Sequence, residues 1–90
     1  MRRNFKKGNE IVLEQLGRVN RAVAHLDELK LTVLKVDLSQ HIPVIEVQKG
    51  RACEAMETGS VTRYRTKEGI RVKVEAAQIC NCYVLWEDAA

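Results

Sequence analysis

The sequence predicts a two-layer α+β fold, in which one long N-terminal helix packs on an antiparallel sheet of four to five strands. Three observations carry this. Apolar residues recur at helical spacing over residues 9–30, and after Lys30 they change to alternation. The later segments are short and separated by polar or glycine-containing breaks, which favours sequential pairing over crossovers. The chain has 90 residues, 46% of them hydrophobic, enough for one modest core and too apolar for a disordered segment.

The helix is marked by Val12, Leu16, Val19, Val23 and Leu26, which share one stripe. Asn9 can cap its first turn, and Glu10 there favours the helix dipole. Glu14 precedes Arg18 by four residues, the favourable order for an exposed ion pair. Gly17 weakens the middle of the helix and is explained by the close approach of another backbone. Val12, Val19 and Leu26 also repeat at seven, which a coiled-coil seam would use. Lys30 breaks that repeat, and a helix lying on its own sheet is the better reading.

Leu34, Val36 and Leu38 alternate with Val33, Lys35 and Asp37, the pattern of a half-buried strand. Ser39-Gln40-His41 interrupts it. A second strand follows Pro43, with Ile45 and Val47 on one face. Residues 51–57 fit a helical turn or a short strand equally, and Thr58-Gly59-Ser60 reads as a turn. Val61 to Thr66 and Ile70 to Ala76 form a hairpin around Lys67-Glu68-Gly69, with Ile70, Val72, Val74 and Ala76 on one face. The last strand, Gln78 to Glu87, is apolar on both sides, with Ile79, Tyr83 and Leu85 on one and Cys80, Cys82, Val84 and Trp86 on the other. Two apolar faces need two covers, and in a chain this small the second is expected to be another subunit. Ile79, Tyr83, Leu85 and Trp86 are therefore the expected dimer interface.

Residues 1–8 read as a basic flexible leader, and 9–90 as a single domain. No apolar core follows the leader, and no run approaches the roughly 20 apolar residues of a membrane span. The expectation is a cytoplasmic protein that makes no membrane contact. Three cysteines leave one unmatched, which suits a reducing compartment better than a disulfide framework.

Catalytic and metal chemistry find little support. Cys80 and Cys82 with Cys53 and a histidine, His25 or His41, would supply Cys₃His zinc ligands. A C-x-C pair inside an apolar strand is not the usual zinc knuckle, so these cysteines read as small core residues. Neither histidine stands in a context that fixes a nucleophile, and there is no Gly-x-Ser-x-Gly elbow or glycine-rich phosphate loop. No enzyme activity, cofactor or metal is expected.

Charge position is more informative than the net charge of +3. Arg2, Arg3, Lys6 and Lys7 lie in the leader, and Arg63, Arg65, Lys67, Arg71 and Lys73 lie in the hairpin, together nine of the fifteen cations. Side by side, Arg63, Arg65, Arg71 and Lys73 would make a four-cation patch with Lys67 at its tip. A basic two-stranded ribbon of this kind can contact nucleic-acid phosphates. The bland alternative is a solvated face that blunts edge pairing. Only four residues are aromatic, too few for a stacking platform on single strands. In size, basic leader and compact α+β pattern the chain resembles short open reading frames carried by bacterial prophages, which implies an accessory role by binding a host or phage macromolecule. The resulting expectation is a small non-enzymatic, homodimeric binding or regulatory protein. Its partner would be met by Arg63, Arg65, Lys67, Arg71 and Lys73, aided by Arg2 and Arg3. The alternative is a nucleic-acid-binding protein that uses the basic hairpin.

Overall fold

A computed structural model describes residues 7–56 and 61–88. Its first element, α1, spans Lys7–Glu28. The stripe that meets the sheet is Gln15, Val19, Ala22 and Leu26, all buried. It is rotated from the expected stripe, since Val12 and Leu16 remain about half exposed and Val23 is only partly buried. The helix ends in a Schellman motif. Lys30 takes the left-handed conformation at φ 62°, its N–H donates to the Asp27 carbonyl, and the Leu31 N–H donates to the Leu26 carbonyl. Leu26 and Leu31 thereby enter the core together. Arg18 and Glu14 pair at 2.7 Å, as their spacing predicts.

Five strands follow: β1 Val33–Asp37, β2 Val44–Val47, β3 Val61–Lys67, β4 Ile70–Ile79 and β5 Cys82–Asp88. Their order across the sheet is β1-β2-β5-β4-β3. Three pairings are antiparallel, but β2 and β5 run parallel, so the sheet is mixed. The two-layer α+β class holds, and the sequential pairing expected from short connections holds for β1–β2, β3–β4 and β4–β5, but β2 pairs with β5 and not with β3. The ambiguous segment after Gly50 forms a short helix, α2, Ala52–Met56. The chain thus passes through α2, β3 and β4 before β5 returns beside β2.

The segment read as one strand from Gln78 to Glu87 is broken. Cys80 and Asn81 both have positive φ, 51° and 61°, and turn the chain between β4 and β5. Two successive left-handed residues give the primed turn whose twist suits a tight hairpin. The first hairpin is equally tight, with Glu68 at φ 51° and Gly69 at φ 78° between Lys67 and its partner Ile70. On β1 the pairing slips between Val33 and Lys35, so Val33 and Val36 both sit opposite helix-side residues of β2. Leu34 lies at the irregularity and is 62% exposed.

The core lies between α1 and one face of the sheet. Ile45 and Val47 of β2, Ala77 of β4, and Cys82, Val84 and Trp86 of β5 pack there with Val19, Ala22, Leu26, Leu31 and Cys53. A Cβ at Gly50 would lie 2.6 Å from Leu31 Cδ2, so a larger residue there would displace the Leu31 side chain from its place in the core. Gly17 is not a close-approach site, since a Cβ there meets nothing nearer than the Arg21 guanidinium at 3.8 Å.

Gln15 fixes the helix to the end of the sheet where β2 and β5 begin. Its Nε2 donates to the carbonyls of Gln40 and His41 at 3.0 and 3.2 Å. The turns of α1 before Gln15 run past that end, leaving Ile11, Val12 and Leu13 about half exposed. At the opposite end β4 meets Asp88 at Lys73, so Ile70–Val72 and the matching end of β3 extend beyond β5. These two projections account for a long dimension of 52 Å. No helix among the described residues is long and apolar enough to cross a membrane.

Candidate functional site

Directly opposed residues in an antiparallel pair share a face of the sheet. The register sets Arg63 opposite Val74, Arg65 opposite Val72 and Lys67 opposite Ile70. Arg71 and Lys73 lie opposite Thr66 and Tyr64. The hairpin cations are therefore divided. Arg63, Arg65 and Lys67 point away from the helix layer, Arg71 and Lys73 point toward it, and the expected four-cation patch does not form. Arg2, Arg3 and Lys6 lie outside the described residues. Lys7 begins α1.

Most of these cations are neutralised within the chain. Arg65 donates to Glu46 at 2.6 Å and also to Glu87. Lys67 lies 3.4 Å from the same Glu87 carboxylate. The hydrogen bonds that Arg65 donates to Glu87, then to Glu46, hold its guanidinium above the ordinary pKa. The hydrogen bond from Arg65 in turn holds Glu87 below the usual carboxylate range. On the helix side, Lys73 approaches Glu75 at 3.5 Å and Asp88 at 3.6 Å, and Lys49 also donates to Asp88. Arg71 stacks over the Tyr64 ring at 4.1 Å. Arg63 is the one hairpin cation with no intramolecular partner among the described residues.

The face that carries Arg63 and Arg65 is uncovered by any described element, and its centre is apolar. It contains Val44 of β2, Val61 of β3, Val74 and Ala76 of β4, and Tyr83 and Leu85 of β5. These side chains, with Arg63 and Arg65, line a shallow concavity of about 630 Å³. Val61 is 57% exposed and Tyr83 38%. A solvated face of an antiparallel sheet ordinarily alternates to polar residues, and the middle of this one does not.

The four expected interface residues divide in the same way. Tyr83 and Leu85 lie on the uncovered face. Trp86 is fully buried in the chain's own core, and its indole Nε1 has no hydrogen-bond partner among the described residues. Ile79 sits opposite Cys82 on the helix side and packs against the core. The Cys80-Asn81 turn explains the place of Ile79, because the reversal sets Ile79 opposite Cys82 and so on the face of Val84 and Trp86; Trp86 already alternates away from Tyr83 and Leu85. Val44, Val61, Val74 and Ala76 were not expected at this site. The shared face of Val74 and Ala76 was readable, but not which layer it met.

The same turn separates the cysteines. Cys53 and Cys82 are buried, whereas Cys80 is exposed in the turn. Burial pushes the Cys82 thiol above its ordinary pKa, which makes it a poor nucleophile and ligand. His25 and His41 are exposed. No group of three histidine, cysteine or acidic residues is placed to hold a metal ion among the described residues.

Residues 1–89 match a protein family described as "Uncharacterised protein", and the chain belongs to that family. No curated protein and no solved structure matches it.

Proposed function

We propose that this is a small non-enzymatic binding protein that acts through the uncovered face of its sheet and self-associates there. The observation that carries the reading is the apolar centre formed by Val44, Val61, Val74, Ala76, Tyr83 and Leu85. The helix layer covers only the opposite face. Two copies packed face to face would bring such surfaces to the ~10 Å separation of stacked sheets. Arg65, Glu46 and Glu87 already satisfy one another beside this surface, so burying its apolar centre leaves no charge of that cluster unpaired.

The nucleic-acid alternative draws less support. Phosphates would have to compete with Glu46 and Glu87 for Arg65, and with Glu75 and Asp88 for Lys73. The non-enzymatic part of the reading rests on chemistry. Among the described residues neither histidine side chain has a hydrogen-bonded partner, and the buried thiols hydrogen-bond only to backbone groups.

Sedimentation across a concentration series tests self-association. A dimer is expected at tens of micromolar, and a monomer that persists at hundreds of micromolar would overturn the reading.

A further inference from the structure

The two edges of the sheet differ in their capacity to accept another strand. β1 is five residues long and interrupted by the irregularity at Leu34, which obstructs continuous pairing. β3 is seven residues long, pairs with β4 without a slip, and is exposed at every position. On its outer side the backbone N–H and C=O groups have no partner among the described residues. Such a row is a template for strand addition, in which backbone hydrogen bonds supply affinity and alternate side chains supply specificity.

The side chains of β3 define what can be added. Arg63, Arg65 and Lys67 line the uncovered-face side, and Thr62, Tyr64 and Thr66 line the helix side. A second copy is a poor occupant. A two-fold axis through Arg63 sets Arg63 opposite itself and Val61 opposite Arg65. An axis through Tyr64 sets Arg63 opposite Arg65. An axis through Arg65 sets Arg63 opposite Lys67. Each register that overlaps five residues or more thus opposes cation to cation, which destabilises a strand pair. The chain's own basic leader meets the same repulsion.

We infer that the β3 edge accepts an extended acidic segment of a partner protein as a sixth strand. Carboxylates at alternate positions would face Arg63 and Lys67, and apolar or β-branched residues between them would lie along Thr62, Tyr64 and Thr66. Arg63 is the specific anchor, because it has no internal carboxylate among the described residues. Lys67 is 60% exposed and only 3.4 Å from its nearest acid, so it can turn outward. This rests on the reading of a surface-acting binding protein and deepens it by naming a partner class; its backbone contacts use the β3 edge, and Arg63 is where that edge meets the uncovered face.

The test uses an end-capped heptapeptide that alternates glutamate and valine, the same peptide with lysine for glutamate, and a single-stranded oligonucleotide. Each is titrated into the full chain, with backbone amide shifts and hydrogen exchange as readouts. The glutamate peptide is expected to slow exchange along Val61–Lys67, to bind more weakly as salt rises, and to lose about tenfold in affinity with Arg63→Glu. The lysine peptide is expected not to bind. Equal binding of both peptides, no binding at millimolar concentration, undiminished affinity in Arg63→Glu, or tighter engagement of β3 by the oligonucleotide would each overturn the inference. Sedimentation of the same samples keeps the two readings apart. A dimer that ignores the peptide defeats this inference alone, and a monomer that binds it defeats only self-association.

Discussion

Val84 and Leu85 are consecutive residues of β5 with unlike surroundings. Val84 is fully buried beneath α1, in line with Cys82 and Trp86. Leu85 points the other way with Tyr83, onto a surface that no described element covers. The side chains on both sides are apolar, so hydropathy alone does not distinguish them. The difference is that one side meets a helix and the other is covered by no described element. In a chain this small a single layer can finish only one face.

This contrast can be broken by mutation. The largest effect is expected at Trp86. Trp86→Ala empties the core beneath the helix and should cost about 3–5 kcal/mol in denaturant unfolding, a large part of a small domain's stability. Leu85→Ala, one residue away on the uncovered face, should cost the monomer less than about 1 kcal/mol and act mainly on self-association.

An intermediate effect is expected at Gln15. Its amide holds the helix to the carbonyls of Gln40 and His41. Gln15→Ala leaves both acceptors without this donor and should cost about 1–2 kcal/mol by the same unfolding measurement.

The ion cluster beside the uncovered face should contribute less and should respond to pH. Arg65 holds the folded-state pKa of Glu87 below its ordinary value. The contribution of Glu87 is therefore present above the ordinary carboxylate range and is lost as pH falls through the depressed value. Glu87→Gln should flatten the acid limb of the stability profile, and added salt should reproduce part of that change.

The smallest effect has the opposite sign. A Cβ at Gly17 would meet only the Arg21 guanidinium, at an ordinary contact distance of 3.8 Å. Gly17→Ala should stabilise the helix by about 0.5–1 kcal/mol in thermal or chemical unfolding.

Local periodicity made the helix, the hairpin strands and the two-layer class legible. Val19 and Leu26 lie on the buried stripe, and Ile45 and Val47 share a buried face, as their spacing implies. What escaped prediction depends on contacts distant in sequence or on single backbone angles. The parallel meeting of β2 and β5 leaves no local signature in either strand. Cys80 is not a usual turn residue, yet its positive φ ends β4 and shifts the parity of every residue counted across it. The irregularity at Leu34 has the same consequence in β1. The basic hairpin shows a related limit. Its cations were countable, but the register divides them between two faces and gives Arg65 two carboxylates from other strands.

Among the described residues, the N-terminal turns of α1 around Leu16 and the sheet face around Leu85 both present exposed apolar side chains. Sedimentation equilibrium of Leu85→Asp and Leu16→Asp, run beside the unmodified chain and with folding verified by circular dichroism, tests directly which of them associates. The unmodified chain and Leu16→Asp are expected to be dimers, and Leu85→Asp a folded monomer. A dimer that survives Leu85→Asp and is lost in Leu16→Asp would contradict the account and place the interface on the helix.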